Sequence, residues 1–313
     1  MDLSIIIVNW NTCQLLAQCL NSLQATAGNV NPAAQAVTFG TYLAEVYVVD
    51  NASQDDSVAM TRERFPWARL IVNDQNVGFA LANNQAFAAS IGRYVLLLNS
   101  DTEVWSGAIE SMLAFMESDS QSGAIGARLL NADGSLQSSC QPMLTPWREF
   151  WRLIFLDRIW RRATYRMEAW DVHTPRPVET IKGACLLVRR AALAPQEPLL
   201  DGQYFMYTEE VDLCCRLSQA KWRLYWVPEA RVTHFGEASS RQAYTAMYVQ
   251  LYRSKVQFYR KFGGEPRARQ FKRLVRLAYL PRLWAARAAA LIRPATAPRV
   301  QTIEQLLAEL PHM

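Results

Sequence analysis

Asp101 closes a polar triplet, Asn99-Ser100-Asp101, that follows the apolar run Tyr94-Val95-Leu96-Leu97-Leu98. Such a run reads as a buried strand, and a parallel sheet binds ligands just beyond the carboxyl ends of its strands. A hard carboxylate beside other oxygen ligands suits a divalent cation bridging two phosphates, which makes Asp101 a candidate metal ligand. The same polar residues could instead start the next helix, although Ser106 ahead of Gly107-Ala108-Ile109-Glu110 can also do that. Two more apolar runs stop in the same way, at Val8-Asn9-Trp10-Asn11 and at Asp50-Asn51-Ala52-Ser53. Asp50 and Ser53 are also suited to capping a helix that runs toward Phe65. Later in the chain Thr208 can cap a helix whose first turn holds Glu209 and Glu210, with Asp212 following, where the positive end of the helix macrodipole favours acids. His234 stands just after an expected strand, Arg231 to Thr233, and a lone histidine there more often serves a structural role than a ligand's.

These residues need elements to hold them. Ser4 to Val8 reads as a first strand, and Cys13 to Leu23 as a helix, with Leu15, Leu16, Leu20 and Leu23 at helical spacing. Residues 24–44 form an unusually long connection with no assigned role. Tyr47 to Val49 makes a second strand and Arg69 to Val72 a third. Asn73 to Asn76 with Gly78 turns the chain into a helix over Phe79 to Ile91, and Tyr94 to Leu98 is the fourth strand. Alternating strands and helices imply right-handed crossovers and a mainly parallel sheet covered on both faces. The polar strand ends then converge on one edge of that sheet.

The bulk properties fit an α/β protein of this size. With 313 residues, half of them hydrophobic, the chain can bury a large core, and its net charge of +5 is modest. Cys13, Cys19, Cys140, Cys185, Cys214 and Cys215 show no paired C-x-x-C spacing, which argues against a zinc cluster or a disulfide framework and for reduced thiols. Ile5-Ile6-Ile7-Val8 gives way at once to Asn9-Trp10-Asn11, so the amino terminus reads as a strand and not a signal peptide. No apolar run approaches the ~18 residues of a spanning helix. There is no G-x-G-x-x-G after the first strand and no G-x-x-x-x-G-K-[ST], so phosphates must be held by another device.

Ile7-Val8-Asn9-Trp10-Asn11, Val48-Val49-Asp50-Asn51-Ala52-Ser53, Asn76-Val77-Gly78-Phe79-Ala80 with Asn83-Asn84, and Leu98-Asn99-Ser100-Asp101 follow in the order seen in the inverting glycosyltransferases of family two. Later segments agree: Gly126-Ala127-Arg128-Leu129 with Asp133-Gly134-Ser135-Leu136-Gln137, Lys182-Gly183-Ala184-Cys185, Phe205 to Cys214, and Val232-Thr233-His234-Phe235-Gly236. The resemblance covers about residues 3–262 and is nearest to bacterial rhamnosyltransferases. It implies a GT-A fold: an α/β, Rossmann-like, mainly parallel sheet in a catalytic domain over 1–262, followed by a basic helical extension over 263–313.

The resemblance also implies roles. Asp50 would accept the imide N–H of a uracil or thymine, and Val8, Asn9, Asn11, Asn51, Ser53, Asn76, Gly78, Phe79, Asn83, Asn99, Ser100 and Asp101 would line the rest of the nucleotide-sugar site. Asp101 and His234 would hold Mg²⁺ or Mn²⁺ together with the diphosphate. The family motif at this place is often Asp-x-Asp, whereas Asn99 stands at its first position, which weakens the site for a free ion. Glu210 would be the base that deprotonates the acceptor, with Asp212 and Glu209 in reserve; the family usually has Asp at the position of Glu210. The implied donor is a nucleoside-diphosphate sugar, with thymidine-diphosphate rhamnose first and a uridine-diphosphate galactofuranose or N-acetylhexosamine as the alternative. The implied acceptor is a saccharide or a polyprenyl-diphosphate-linked saccharide of the cell envelope. A nucleotide-sugar pyrophosphorylase would want a basic Gly-rich loop, absent from Asn9-Trp10-Asn11-Thr12, and a non-catalytic carbohydrate-binding protein is disfavoured by Asp101, Glu210 and His234 together.

Two stretches stand apart. Trp147, Trp151, Trp160 and Trp170 alternate with Arg148, Arg152, Arg158, Arg161, Arg162 and Arg166, a pattern that fits a flap over the acceptor, a membrane-facing surface, or ordinary packing. After Gly263-Gly264-Glu265-Pro266, the bases Arg267, Arg269, Lys272, Arg273, Arg276, Arg282, Arg287 and Arg293 run with no acid among them. Phe271, Leu274, Leu277, Tyr279, Leu280, Leu283, Trp284 and Leu291 add apolar surface, with a kink expected at Pro281. Such a helix can lie in the headgroup region of the inner face of the cell membrane, and a solvated tail is the plainer alternative. No nucleic-acid motif accompanies the charge, so a nucleic-acid partner is not expected.

Overall fold

Leu3, Ile5, Ile6 and Ile7 have no exposed surface, as expected of a strand covered on both faces, and the sheet is assembled around them. The computed structural model describes residues 1–157, 163–236, 243–292 and 297–313, the last two positions before the 293–296 gap as backbone only. The chain forms two compact units: Met1–Gln141, Arg166–Phe205 and Glu209–Ser239 make the first, and Pro142–Tyr165, Met206–Thr208 and Ser240–Met313 the second.

In chain order the elements are β1 (Leu3–Asn9), α1 (Cys13–Thr26), β2 (Asn29–Asn31), β3 (Ala36–Phe39), β4 (Tyr42–Asp50), α2 (Ser57–Arg64), β5 (Arg69–Val72), α3 (Phe79–Ala89), β6 (Tyr94–Leu98), β7 (Thr102–Val104), α4 (Ala108–Ser118), β8 (Ser122–Leu130) and β9 (Cys140–Gln141). There follow α5 (Pro146–Leu153), β10 (Arg176–Pro177), β11 (Thr180–Ile181), β12 (Cys185–Arg189), α6 (Glu209–Gln219), β13 (Arg223–His234), α7 (Tyr244–Ile292) and α8 (Ala297–Glu309).

The sheet of the first unit is mainly parallel at its centre. β1 lies between β4 and β6, parallel to both, and β5 continues parallel to β4. On the other side β12 enters antiparallel between β6 and β8, and β13 runs parallel to β8. Each fully buried Ile or Leu of these strands contributes about 1.5–3 kcal/mol of transfer free energy. Parallel register has a direct consequence for the site. With Asn9 opposite Asp50 and Ile6 opposite Leu97, the polar residues that follow each apolar run emerge at one edge.

Three local readings change. Residues 24–44 are not a plain connection: β2 and β3 form an antiparallel hairpin that extends the sheet beyond the first part of β4. His234 does not follow a short strand, because β13 is 12 residues long and His234 is its last. In the second unit the helix continues through Pro281, where a kink is expected, whereas the break expected at Gly263-Gly264-Glu265-Pro266 is present at Gly264, whose φ of +70° and ψ of 175° are non-helical. A residue without Cβ takes that left-handed φ at no steric cost.

Gly264 divides α7 into two arms that fold back on each other. The ring of Tyr252 stacks on Phe271 at 6.3 Å, and the Tyr252 and Tyr279 hydroxyls are 2.7 Å apart. α8 joins them through Arg253–Glu309 at 2.7 Å and Arg287–Glu304 at 2.6 Å. The arm after Gly264 is therefore built into a bundle with the arm before it. Phe271, Leu274, Tyr279 and Leu283 face inward, whereas Leu277, Leu280 and Trp284 stay exposed. The Trp/Arg-rich stretch also divides, with Trp147 and Trp151 in the second unit and Trp170 packed on Trp226 in the first. Arg158, Trp160, Arg161, Arg162 and Arg293 lie outside the described residues.

Candidate functional site

Asn9 is the hinge of the polar edge. Its Nδ2 donates to Asp50 Oδ2 at 3.1 Å and to Ser53 Oγ at 3.2 Å, while its Oδ1 accepts from the Thr12 hydroxyl at 2.7 Å. The backbone N–H of Ser53 donates to Asp50 Oδ1 at 2.8 Å. Each Asp50 oxygen thus accepts one protein hydrogen bond, and a carboxylate has lone pairs for more. Hydrogen bonds to a charged acceptor are worth about 1.5–3 kcal/mol each, so the buried carboxylate is held in place rather than stranded. Asn11, at φ +52°, directs its backbone N–H to Ser53 Oγ and accepts from Gln54 N–H at 2.7 Å. Val8, partly exposed, is the residue before this hinge.

Asn51 ties this loop to the next. It donates to Asn76 Oδ1 at 2.8 Å and accepts from Val77 N–H at 3.0 Å, and Gly78 N–H donates to Asn76 Oδ1 at 3.0 Å. Gly78 has φ +86°, and a Cβ there would come within 2.5 Å of the Phe205 carbonyl oxygen. Phe79 N–H donates to that carbonyl at 2.7 Å. A side chain at position 78 would therefore push apart the loop before α3 and Phe205, which leads toward α6. Asn83 is buried in α3 and spends its amide on the Phe79 carbonyl at 2.8 Å, so it supports the helix from within.

The third group surrounds Asp101. Asp101 Oδ1 and His234 Nε2 are 3.3 Å apart, Asn99 Nδ2 is 3.3 Å from the same ring nitrogen, and Ser100 Oγ meets Thr12 Oγ1 at 3.1 Å. On the other side of the ring His234 Nδ1 is 2.6 Å from Gln137 Oε1. The Gln137 amide nitrogen donates to Asn131 Oδ1 at 2.9 Å and to the His234 carbonyl at 3.0 Å, which fixes its oxygen toward Nδ1. Nδ1 must then carry a proton, so in the neutral ring Nε2 is the nitrogen left as an acceptor, on the side of Asp101 and Asn99. Gln137 stands in a segment that carries the family resemblance, yet no pattern in the sequence gives it a part. Its link to His234 spans 97 positions and leaves no local signal.

This group suits a divalent cation only in part. Among the described residues no cluster of three or more His, Cys, Asp and Glu could hold a metal. Asp101 and the Nε2 of a neutral His234 ring nevertheless make a ligand pair of the right chemistry for an ion that takes its other ligands from a diphosphate. The pair fits such a shared ion better than a resident one.

α6 brings in the carboxylates. Tyr207 and Thr208 have φ of +68° and +73°, so Thr208 lacks the extended backbone usual at an N-cap. Glu209 is buried, and burial, then the neighbouring charge of Glu210, pushes its carboxyl well above the usual range. Asp212 is fully buried and already engaged: Arg216 Nε donates to Oδ1 at 2.8 Å and the Tyr204 hydroxyl to Oδ2 at 3.2 Å. Its role here is to clamp α6 to the preceding loop. Glu210 is partly exposed, and a Cβ on Gly183 would lie 3.6 Å from its own Cβ. The residue after Gly183 accepts from Asn99 N–H at 3.0 Å, which puts α6 and the Asp101 loop two steps apart. All six cysteines are free, and burial pushes the thiols of Cys19, Cys140 and Cys185 up to about 12, which suits packing rather than reactivity.

Comparisons with known proteins bear on the family and the fold. The family model described as glycosyl transferase family 2 matches residues 4–177. An N-acetylglucosaminyl-diphospho-decaprenol L-rhamnosyltransferase of Mycobacterium tuberculosis is 32% identical over an alignment of 204 residues that covers 60% of this chain and 66% of that protein, just under two thirds of its length. Among solved structures, a mannosyltransferase of Pyrobaculum calidifontis in complex with GDP-Man and Mn²⁺ superposes with a TM-score of 0.53 at 16% identity, over 98% of this chain and 85% of that one. TarS (1–349) of S. aureus gives 0.52 at 14% identity, over 100% and 92%. At those identities the solved structures speak for the fold alone.

Proposed function

The chain belongs to glycosyl transferase family 2, and on that premise we propose that it is an inverting, divalent-cation-dependent hexosyltransferase using thymidine-diphosphate rhamnose. The acceptor in this reading is a saccharide, free or carried on a polyprenyl diphosphate, at the cytoplasmic face of the cell membrane. The name of the mycobacterial relative supports the choice of sugar and carrier. The observation that carries the reading is the meeting of three groups at one sheet edge: Asp50 with Asn9, Asp101 with His234, and Glu210 beside Gly183.

Asp50 accepts the imide N–H of the pyrimidine, and the loop from Asn76 to Phe79 closes over the nucleoside. Asp101 and His234 hold the cation, which when bound neutralises charge on the departing diphosphate. Glu210 takes the proton of the acceptor hydroxyl as its oxygen bonds to the anomeric carbon. The bond from that carbon to the diphosphate oxygen breaks with the electron pair leaving on the nucleotide, and the configuration inverts. Glu209, buried where Glu210 is partly exposed, is the less well placed of the pair to reach an acceptor hydroxyl.

A transfer assay with thymidine-diphosphate rhamnose and a polyprenyl-diphosphate saccharide tests this, beside uridine-diphosphate galactofuranose and N-acetylhexosamine. Glu210→Gln should lower the rate by about 10²–10⁴ while donor affinity stays within a few-fold. Normal turnover by Glu210→Gln would remove it as the base. Preference for a uridine donor would replace rhamnose.

A further inference from the structure

The arm of α7 after Gly264 carries an apolar line that its own bundle does not use. Leu277, Leu280 and Trp284 are 60%, 39% and 68% exposed, while Phe271, Leu274, Val275, Tyr279 and Leu283 on the opposite side are buried. Arg273, Arg276, Leu277, Leu280, Trp284 and Arg287 recur at spacings of three and four and so share one helical face. Arg269, Arg273 and Arg276 are exposed along one flank of that line. On the same unit Phe155, 69% exposed, lies under the guanidinium of Arg282, 4.5 Å from the ring centroid. No acidic residue occurs from Arg267 to the end of this helix.

We propose that this face lies on the surface of an anionic bilayer, with Leu277, Leu280 and Trp284 at the boundary of headgroups and acyl chains and Arg269, Arg273 and Arg276 against lipid phosphates. The charge argues for this occupant. An exposed guanidinium row with no acid interspersed matches phosphate geometry and the negative leaflet potential, and an exposed Trp beside two Leu is the side-chain set that enters an interface. A spanning mode is not needed, since no helix among the described residues is long and apolar enough to cross a membrane. The proposal deepens the membrane-linked part of the reading above by naming the contacting surface. Its test uses neither donor nor acceptor, so the two can fail separately.

The experiment is co-sedimentation of the full chain with vesicles of phosphatidylcholine, with and without phosphatidylglycerol. Point substitutions are preferable to a cut after Phe262, which would strip Tyr252 of Phe271 and Tyr279. The wild type should pellet with the anionic vesicles and much less with the neutral ones, and binding should weaken as salt rises, because the attraction is screened over ~10 Å at 0.1 M. Leu277→Ser, Leu280→Ser and Trp284→Ser together should lower the partition on the order of 100-fold. Arg269→Gln, Arg273→Gln and Arg276→Gln together should lower it by a similar factor at low salt and little at high salt. Brominated acyl chains should quench tryptophan emission in the wild type and less in Trp284→Phe, a readout that survives if a triple variant misfolds. Wild-type binding that ignores the anionic lipid overturns the proposal. So does pelleting of the folded serine variant equal to wild type, or quenching unchanged in Trp284→Phe.

Discussion

His234 shows how much one side chain depends on another. Left alone, a neutral imidazole populates either tautomer, and only the one with its proton on Nδ1 offers Nε2 to a cation beside Asp101. Gln137 makes that choice, because its amide nitrogen is committed to Asn131 Oδ1 and to the His234 carbonyl. Gln137→Leu removes the acceptor and should let the Nε2-protonated tautomer appear, a change visible in the ¹⁵N shifts of the ring. Mn²⁺ affinity, measured with the nucleotide present, should fall about 10–100-fold, the usual effect of losing a partner of a metal-binding histidine. Gln137→Glu keeps an acceptor at that place and should recover the tautomer. An unchanged ring spectrum in Gln137→Leu would mean that Gln137 does not position His234.

At the scale of elements, the second unit depends on a latch between α5 and α7. Glu149 is buried, with Arg152 Nη1 at 2.8 Å from its own helix and Lys255 Nζ reaching it from α7. Burial opposes the charged carboxylate, but the charges of Lys255 and Arg152 outweigh it and hold the Glu149 carboxyl below its usual range. A carboxyl whose folded value is depressed stabilises the folded state above its unfolded value of 4.5 and loses that contribution as pH falls through the lower, folded value. Glu149→Gln leaves two cations facing a neutral group and should cost about 3 kcal/mol near neutral pH. Chemical denaturation from pH 7 downward should show the gap between wild type and Glu149→Gln closing below about pH 4. A gap constant across that range would show that the latch is not electrostatic. Pairing Glu149→Gln with Lys255→Met should recover part of the loss.

Across the whole molecule, what could be read in advance was whatever short-range pattern encodes. Apolar runs ending in Asn9, Asp50 and Asp101 announced parallel strands and their common edge, because burial on both faces leaves an unmistakable composition. The β2–β3 hairpin was hidden, since Asn29–Asn31 and Ala36–Phe39 are too short to show alternation. The double apolar surface of α7 was hidden too, because a helical stripe does not say which of its residues another helix will cover. Gln137 and the clamp on Asp212 come from contacts distant in sequence or fixed by tertiary packing, and no local spacing encodes them.

The polar edge with Asp50, Asp101 and His234 lies in the first unit, so a ligand bound there stabilises that unit directly by mass action. At ~100 times its dissociation constant, a nucleoside diphosphate should add about 2.7 kcal/mol, a rise on the order of 5–10 °C for a unit of this size. Thymidine or uridine diphosphate with Mn²⁺ should produce that rise in differential scanning calorimetry, because Asp50 offers an acceptor to an imide N–H that adenosine lacks. Asp50→Asn should lower the pyrimidine shift toward that of adenosine diphosphate, and Asp101→Asn should lower the part that needs Mn²⁺. A folded Asp50→Asn protein that still prefers pyrimidines would move base recognition away from Asp50, and adenosine diphosphate matching thymidine diphosphate in the wild type would remove the pyrimidine site itself.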